Sequence, residues 1–214
     1  MRTVPGVLLA AFAAIALAPA VAQADEGFKP RFEVTPFVGY RTGDDFDLED
    51  ANGVETTADV DDAASFGVDV GIYRDRTSFY ELLYSRKQGD LDFKLATAPD
   101  AELTTEYYHF GGTLLFPDEG YAVPWLSLTI GATRLAASGP YDSETRFSTS
   151  LGGGLRLPVT GNVSANLGVR GYLTLLDSDS DIFCVGNGDL NCVVRSTGST
   201  YVEFEASLGL SVAF

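Results

Sequence analysis

The sequence predicts an all-β protein, an eight-stranded antiparallel up-and-down transmembrane β-barrel. Three observations support this fold class: eight segments in which every second residue is apolar, long and short connections in alternation, and aromatic residues near both ends of the segments. A period of two places successive side chains on opposite faces of a strand, so each segment has one apolar face. In a barrel that crosses a bilayer, that face meets the lipid.

The eight strands follow one another along the chain, and their connections run long, short, long, short, long, short and long. Their expected ranges are 31–41, 64–74, 78–88, 103–116, 124–135, 145–157, 163–176 and 199–214. Segments of about ten residues suit tilted strands that span a membrane. With both termini at one end of the barrel, the short turns lie at that end and the long loops at the other.

Aromatic residues are expected to form two girdles, one at each membrane interface. The girdle at the short turns is expected to contain Tyr73, Phe79, Tyr80, Phe116, Tyr121, Trp125 and Phe214, and the girdle at the long loops Tyr40, Tyr84 and Tyr108. The rival fold is a soluble barrel or sandwich, which is polar outside and apolar inside. The polar faces here are rich in glycine, serine and threonine with isolated charges, which favours a narrow filled lumen.

The last segment, 199–214, carries the clearest pattern. Every second residue from Phe214 back to Val202 is apolar, and the residues between them are mostly small or polar. An alternating last strand that closes on phenylalanine resembles the C-terminal signature of Gram-negative outer-membrane β-barrels. In that family the strand also serves as an assembly signal, and the resemblance assigns this role to Tyr201, Phe204, Leu208, Leu210, Val212 and Phe214.

The whole of 31–214 resembles the small OmpA/OmpX-type barrels. Because nothing follows Phe214, the chain is expected to lack the peptidoglycan-binding domain of the two-domain members. At the other end, Arg2, an apolar run over 7–18 and the motif Ala22-Gln23-Ala24 predict a signal peptide over 1–24, followed by the barrel domain over 25–214. The resemblance and the export signal imply the Gram-negative outer membrane as the location.

The long connections are acidic and contain both cysteines. Residues 43–62 hold nine acidic residues and no basic one, and are expected to form a solvated loop that binds divalent cations weakly at most. Cys184 and Cys192 flank Asn187-Gly188, a strong tight-turn signal, and are expected to form a disulfide in an exported protein. The net charge of −16 argues against a nucleic-acid partner.

Isolated charges on the polar faces predict a charge network inside the barrel, formed by Glu33, Asp69, Glu81, Arg156, Arg170, Glu203 and Glu205. Arg170 and Glu205 lie at similar heights on neighbouring strands, so we expect them to pair near mid-membrane, where an unpaired charge is costly. A glycine-rich wall at Gly152, Gly154, Gly168 and Gly209 favours a pocket beside the last three strands.

His109 is the one histidine, and it falls on the lumen face. A catalytic histidine needs a nucleophile and an orienting acid beside it, and no such motif surrounds His109. We therefore expect a hydrogen-bonded structural histidine, no enzyme activity, and no catalytic, cofactor-binding or metal-binding residue.

Two classes of function remain open from the sequence. The first is a monomeric structural or interaction protein with a plugged lumen, which displays acidic loops outside and meets membrane lipid, lipopolysaccharide and the barrel-assembly machinery. The alternative is a narrow pore for small solutes through the polar lumen. A lipid-A-modifying enzyme is a less favoured third reading, because no catalytic group is found.

Overall fold

The structure is a computed structural model that describes residues 31–42, 46–50, 55–93, 101–117, 120–138, 143–176, 194–196 and 200–214. Side chains are described in these ranges except at 46–60, 91–93, 101 and 194–196. The predicted signal peptide and disulfide, at 1–24 and at Cys184 and Cys192, lie outside the described residues. Within the described ranges, no helix has the length and apolar character needed to cross a membrane.

The described residues form eleven strands in one antiparallel sheet. They are β1 Phe32–Thr42, β2 Phe46–Asp50, β3 Glu55–Val60, β4 Ala63–Tyr73, β5 Ser78–Phe93, β6 Ala101–Leu115, β7 Val123–Ala137, β8 Ser143–Pro158, β9 Val163–Leu175, β10 Val194–Ser196 and β11 Thr200–Ala213. Eight of them, β1, β4 to β9 and β11, are the strands expected from the sequence, and all of these except β5 begin and end within two residues of their expected range.

These eight strands close into a barrel, as predicted. Neighbours in the chain pair with each other from β4 to β9, and β11 pairs with both β9 and β1. At the seam Val38 stands opposite Leu208, and the Phe214 amide donates to the Phe32 carbonyl at 2.8 Å. Closure removes the sheet edge, which leaves the backbone fully paired in lipid.

The expectation of a solvated loop over 43–62 is wrong in part, because this connection contains β2 and β3. The β2–β3 hairpin pairs with the last residues of β5, where Ala58 stands opposite Phe93, and β10 pairs with β2. β5 runs five residues past its expected end at 88, to Phe93. Its extension offers unpaired peptide groups beyond the barrel, and β3 supplies their partners.

The outward face of the barrel is apolar and exposed, as the lipid-facing surface of a membrane barrel must be. Val38, Leu128 and Val169 are 61%, 53% and 66% exposed. We call the end with the chain termini the lower end and the opposite end the upper end. Exposed aromatic residues ring the lower end at Phe32, Tyr80, Phe116, Tyr121 and Phe214, and the upper end at Tyr40, Tyr108, Phe147 and Phe204.

Three residues grouped with the lower girdle lie inside the barrel, where the sequence pattern also predicts Tyr73 and Trp125. Phe79 is buried, Tyr73 hydrogen-bonds to Glu33, and Trp125 lines a lumen cavity. All three share the strand face of the lumen charges, and the alternation of side chains therefore turns them inward. These side chains fill the lower part of the lumen and do not lie at the membrane interface.

Candidate functional site: the lumen

The lumen is the candidate site, because the alternation of each strand sends its polar side chains there. All seven charges predicted for the lumen face it: Glu33, Asp69, Glu81, Arg156, Arg170, Glu203 and Glu205. The structure adds Arg41, Lys87 and, near the upper rim, an ion pair between Glu144 and Arg146. Arg41 and Lys87 lie on the polar faces of their predicted strands, close to the strand ends, but they are not among the seven predicted charges.

An upper cluster closes the bore in its upper half. It consists of Arg41, Ser85, Lys87, Tyr107, Tyr172, Tyr201, Glu203 and Glu205, all of them buried. The Arg41 Nε donates to Glu205 Oε2 at 2.8 Å, and Lys87 Nζ lies 2.7 Å from Glu203 Oε1. The first pair joins the neighbouring strands β1 and β11, where Arg41 and Glu205 are register partners, and the second crosses the lumen from β5 to β11. The cluster therefore ties separate walls of the barrel together through Lys87 and Glu203.

Tyrosines complete the upper cluster. The hydroxyl groups of Tyr107 and Tyr201 donate to Glu203 at 2.8 and 2.9 Å. The Tyr107 and Tyr172 rings stack with centroids 4.0 Å apart, and the Arg41 guanidinium lies 4.9 Å from each ring centre. A cation against aromatic faces is held by the ring quadrupole while the rings exclude water.

A lower cluster lies nearer the chain termini and consists of Glu33, Asp69, Tyr73, Glu81, Arg156 and Arg170. Arg170 Nη2 donates to Glu81 Oε1 at 2.7 Å, and Arg170 Nη1 donates to Ser150 Oγ at 3.0 Å. The other oxygen of Glu81 accepts from Ser127 at 2.6 Å and from Thr113. Glu81 is therefore held as a carboxylate by one cation and two hydroxyl groups.

The second ion pair of the lower cluster joins Arg156 to Glu33. Arg156 Nη1 donates to Glu33 Oε2 at 3.2 Å and to the Tyr73 hydroxyl at 2.6 Å. Tyr73 in turn donates to Glu33 Oε2 at 2.8 Å. The guanidinium binds the carboxylate through two nitrogens, which fixes the geometry of the lower mouth.

The predicted pair between Arg170 and Glu205 is wrong. The two residues are register partners on β9 and β11, but Arg170 contacts Glu81 across the bore and Glu205 contacts Arg41. Gly152 makes room for this arrangement, because a Cβ there would lie 3.1 Å from Arg170 Cζ. The strand register thus predicts the correct height of Arg170 in the barrel but the wrong ion-pair partner.

A cavity of about 60 Å³ lies beside the lower cluster. Gly168 and Gly209 line it, so two of the four glycines expected to leave a pocket do so, whereas the space at Gly152 is taken by Arg170. Two buried polar atoms on its lining residues have no hydrogen-bond partner, Asp69 Oδ1 and Trp125 Nε1. The lower half of the lumen is therefore less completely filled than the upper half.

His109 is a buried lumen residue, as expected. Its Nδ1 lies 2.9 Å from Thr129 Oγ1 and its Nε2 lies 2.7 Å from Ser148 Oγ. Both ring nitrogens are thus occupied by hydroxyl groups, and among the described hydrogen bonds none joins His109 to a carboxylate. A serine beside the ring lacks the orienting acid that nucleophilic catalysis requires.

Ligand sets for metals are not found in the described part of the chain, where no three His, Cys, Asp or Glu side chains lie close enough to hold an ion.

Outside the lumen, one polar cluster sits on the outward face near the upper aromatic ring. There Glu106 Oε2 lies 3.1 Å from Arg134 Nη1, and the Tyr84 hydroxyl donates to Glu106 Oε1 at 2.9 Å. This pair was not anticipated from the sequence.

Comparison with solved structures shows the fold. The chain is similar to Neisserial surface protein A (15% identity, TM-score 0.52, 87% of this chain and all of that one) and to the outer membrane protein OprG from Pseudomonas aeruginosa (13%, 0.59, 86% and 95%). It is also similar to the outer membrane protein AlkL, solved in lipid bilayers (14%, 0.55, 86% and 90%). No family model and no curated protein sequence matches the chain.

The apolar exterior, the two aromatic rings and this shared fold agree on one architecture. The chain has the fold of the small eight-stranded outer-membrane β-barrels, with an exterior that suits a membrane.

Proposed function

We propose that this barrel does not conduct solutes and acts through its outer loops, as a structural or interaction protein. The observation that carries the proposal is the upper cluster, whose charged side chains and stacked tyrosines fill the bore. An eight-stranded barrel is only wide enough for its own side chains. A solute path would have to separate the Arg41–Glu205 and Lys87–Glu203 pairs, which leaves buried charges unpaired.

The upper end of the molecule supports a role for the loops. β2, β3 and β10 continue the barrel sheet past its upper rim and join parts of the first and last long connections. The first of these connections carries nine acidic residues. A surface of this charge suits divalent cations that bridge it to the phosphates of lipopolysaccharide. Lipopolysaccharide, membrane lipid and the assembly machinery that reads the last strand are the proposed partners, and the barrel acts as a monomer.

A narrow pore is the second candidate, favoured by the cavity in the lower lumen. Its lining includes polar and charged side chains, as a path for small solutes requires, together with aromatic and apolar ones. The cavity ends at Glu205 of the upper cluster, however, and the rest of that cluster lies between it and the outer face. An enzyme remains the least favoured class, because the hydroxyl partners of His109 lack an orienting carboxylate.

Swelling of liposomes that contain the refolded protein tests the closed barrel. Wild-type vesicles are expected to swell in sugars and amino acids no faster than empty vesicles, because the upper cluster blocks the bore. Swelling that slows as the solute grows would establish a pore.

The loop role has its own test. A variant in which the nine acidic residues of 43–62 become Asn or Gln keeps the barrel unchanged. It is expected to lose Ca²⁺-dependent binding to vesicles that contain lipopolysaccharide, while the wild type loses the same binding when EDTA is added. Equal binding by both proteins would show that the acidic residues of 43–62 do not bind lipopolysaccharide through Ca²⁺.

A further inference from the structure

The charges of the described lumen do not balance. Six acidic side chains face five basic ones, and each basic side chain forms an ion pair with a carboxylate: Arg41 with Glu205, Lys87 with Glu203, Arg146 with Glu144, Arg156 with Glu33, and Arg170 with Glu81. The remaining acid is Asp69 on β4. An uncompensated carboxylate inside a membrane barrel is costly, so a positive charge is missing from its surroundings.

Asp69 stands next to another acid rather than a base. Its carboxyl group lies against that of Glu81, and its Oδ1 is buried without a hydrogen-bond partner. Arg170 donates its hydrogen bonds to Glu81 Oε1 and to Ser150, and its single positive charge acts on both carboxyl groups. Two carboxylates in contact, with one guanidinium to balance both, are stable only when one more positive charge is bound.

The cavity of about 60 Å³ adjoins this carboxyl pair. Roughly 10–15 Å³ measured in this way holds one water molecule, so the cavity accommodates a small cation together with water. The unpartnered Trp125 Nε1 and Asp69 Oδ1 supply a donor and an acceptor among its lining residues. The charged groups that line it from the other strands are Glu33 of β1, Glu81 of β5, Arg156 of β8, Arg170 of β9 and Glu205 of β11.

We propose that this cavity binds a single monovalent cation at Asp69, taken up either as a proton shared with Glu81 or as an alkali ion with water. A divalent ion does not fit, because Arg156 and Arg170 line the same space and the described residues hold no set of three metal-ligating side chains. The site does not depend on whether the barrel conducts, since Asp69 and Glu81 belong to the lower cluster.

Asp69→Asn tests the site, because the amide is neutral, has nearly the same shape and donates to Glu81 without a bound cation. Urea unfolding from lipid vesicles at neutral pH is expected to give Asp69→Asn a folding equilibrium constant equal to or above that of the wild type. The matched variant Glu81→Gln is expected to lose at least tenfold, because it leaves Arg170 without its carboxylate. A loss in Asp69→Asn as large as that in Glu81→Gln would overturn the proposal.

Two measurements on the wild type and Asp69→Asn distinguish a bound proton from a bound alkali ion. A proton is indicated by an infrared carboxylic-acid band at neutral pH that is absent from Asp69→Asn. An alkali ion is indicated by a wild type that unfolds at higher urea in NaCl or KCl than in choline chloride, while Asp69→Asn responds equally to all three. If the wild type shows neither the band nor the salt difference, no cation is bound and the proposal is wrong.

Discussion

The upper and lower clusters use the same chemistry with different charge balance. In the upper cluster two basic side chains, Arg41 and Lys87, face two carboxylates, Glu203 and Glu205. In the lower cluster two basic side chains face three carboxylates, and a cavity adjoins the unmatched Asp69. The upper half is packed with stacked rings around its charges, whereas the lower half retains a cavity.

Because of this difference, the upper half of the bore is suited to closing the barrel and the lower half to binding a small charge. A matched, fully buried network holds a barrel shut, because opening it leaves several buried charges unpaired at once. An unmatched network next to a cavity is a place where a small charge enters and leaves. The same polar lumen thus supports two properties that the strand pattern does not distinguish.

Removal of Arg41 is expected to have the largest effect on stability. Arg41→Ala leaves Glu203 and Glu205 short of a cation and removes the contact with two tyrosine rings. The loss in free energy of unfolding is expected to be about 3–5 kcal/mol. Urea unfolding from lipid vesicles measures it.

Arg134→Ala is the matched control, because Arg134 also pairs with a glutamate but is 49% exposed on the outward face. Its expected cost is about 0–1 kcal/mol, since exposed pairs contribute little. Similar losses in both variants would show that burial in the upper cluster does not matter.

Double-mutant cycles distinguish the observed partner of Arg170 from the predicted one. Arg170→Ala combined with Glu81→Gln is expected to show a coupling of about 1–3 kcal/mol, because the two side chains are in contact. Arg170→Ala combined with Glu205→Gln is expected to show a smaller coupling, since Glu205 is paired with Arg41. The reverse order of the two couplings would restore the pairing expected from the sequence.

Two buried serines test how much a hydrogen bond to charge contributes in the upper lumen. Ser85 donates to Glu205 at 3.1 Å and accepts from Arg41, whereas the Ser65 hydroxyl has no partner. Ser85→Ala is expected to cost about 1–3 kcal/mol and Ser65→Ala about zero or to stabilise slightly. Thermal or urea unfolding of the two variants gives the comparison, and equal costs would contradict it.

The smallest effect is expected in the short turn between β4 and β5, outside the membrane. Partial burial opposes ionisation of Asp75, but hydrogen bonds from Ser78, Thr77 and Arg74 outweigh it and lower the pKa of Asp75. A lowered folded-state pKa stabilises the protein above the unfolded-state pKa, and this contribution is lost as pH falls through the folded-state pKa. Asp75→Asn is expected to cost less than about 1 kcal/mol at neutral pH and nothing at strongly acidic pH. A cost independent of pH would show that the charge plays no part.

The barrel strands were predictable because each carries its signal locally. β9 was expected at 163–176 and spans Val163–Leu175, since alternation and flanking turn residues mark both ends. The β2–β3 hairpin was not predictable in this way. Its partner is the extension of β5 beyond Gly89, and a glycine at that point reads as the end of a strand.

The lumen was predictable in its faces but not in its contacts. Alternation placed Arg170, Glu81 and Glu205 in the bore, and all three lie there. Which carboxylate Arg170 reaches depends on the width of the bore and on the space above Gly152, and neither is visible in the spacing of residues along the chain. The excess of one acid likewise emerged only when Arg41 and Lys87 were found to face inward.

Planar-bilayer recordings of wild type, Arg41→Ala and Arg134→Ala, each first shown to be folded by its compact band in unboiled detergent gels, test most directly that the upper cluster closes the barrel. The wild type and Arg134→Ala are expected to be silent, and Arg41→Ala to show discrete openings, because only Arg41 stands in the bore. Long-lived openings in the wild type that Arg41→Ala leaves unchanged would contradict the closed barrel.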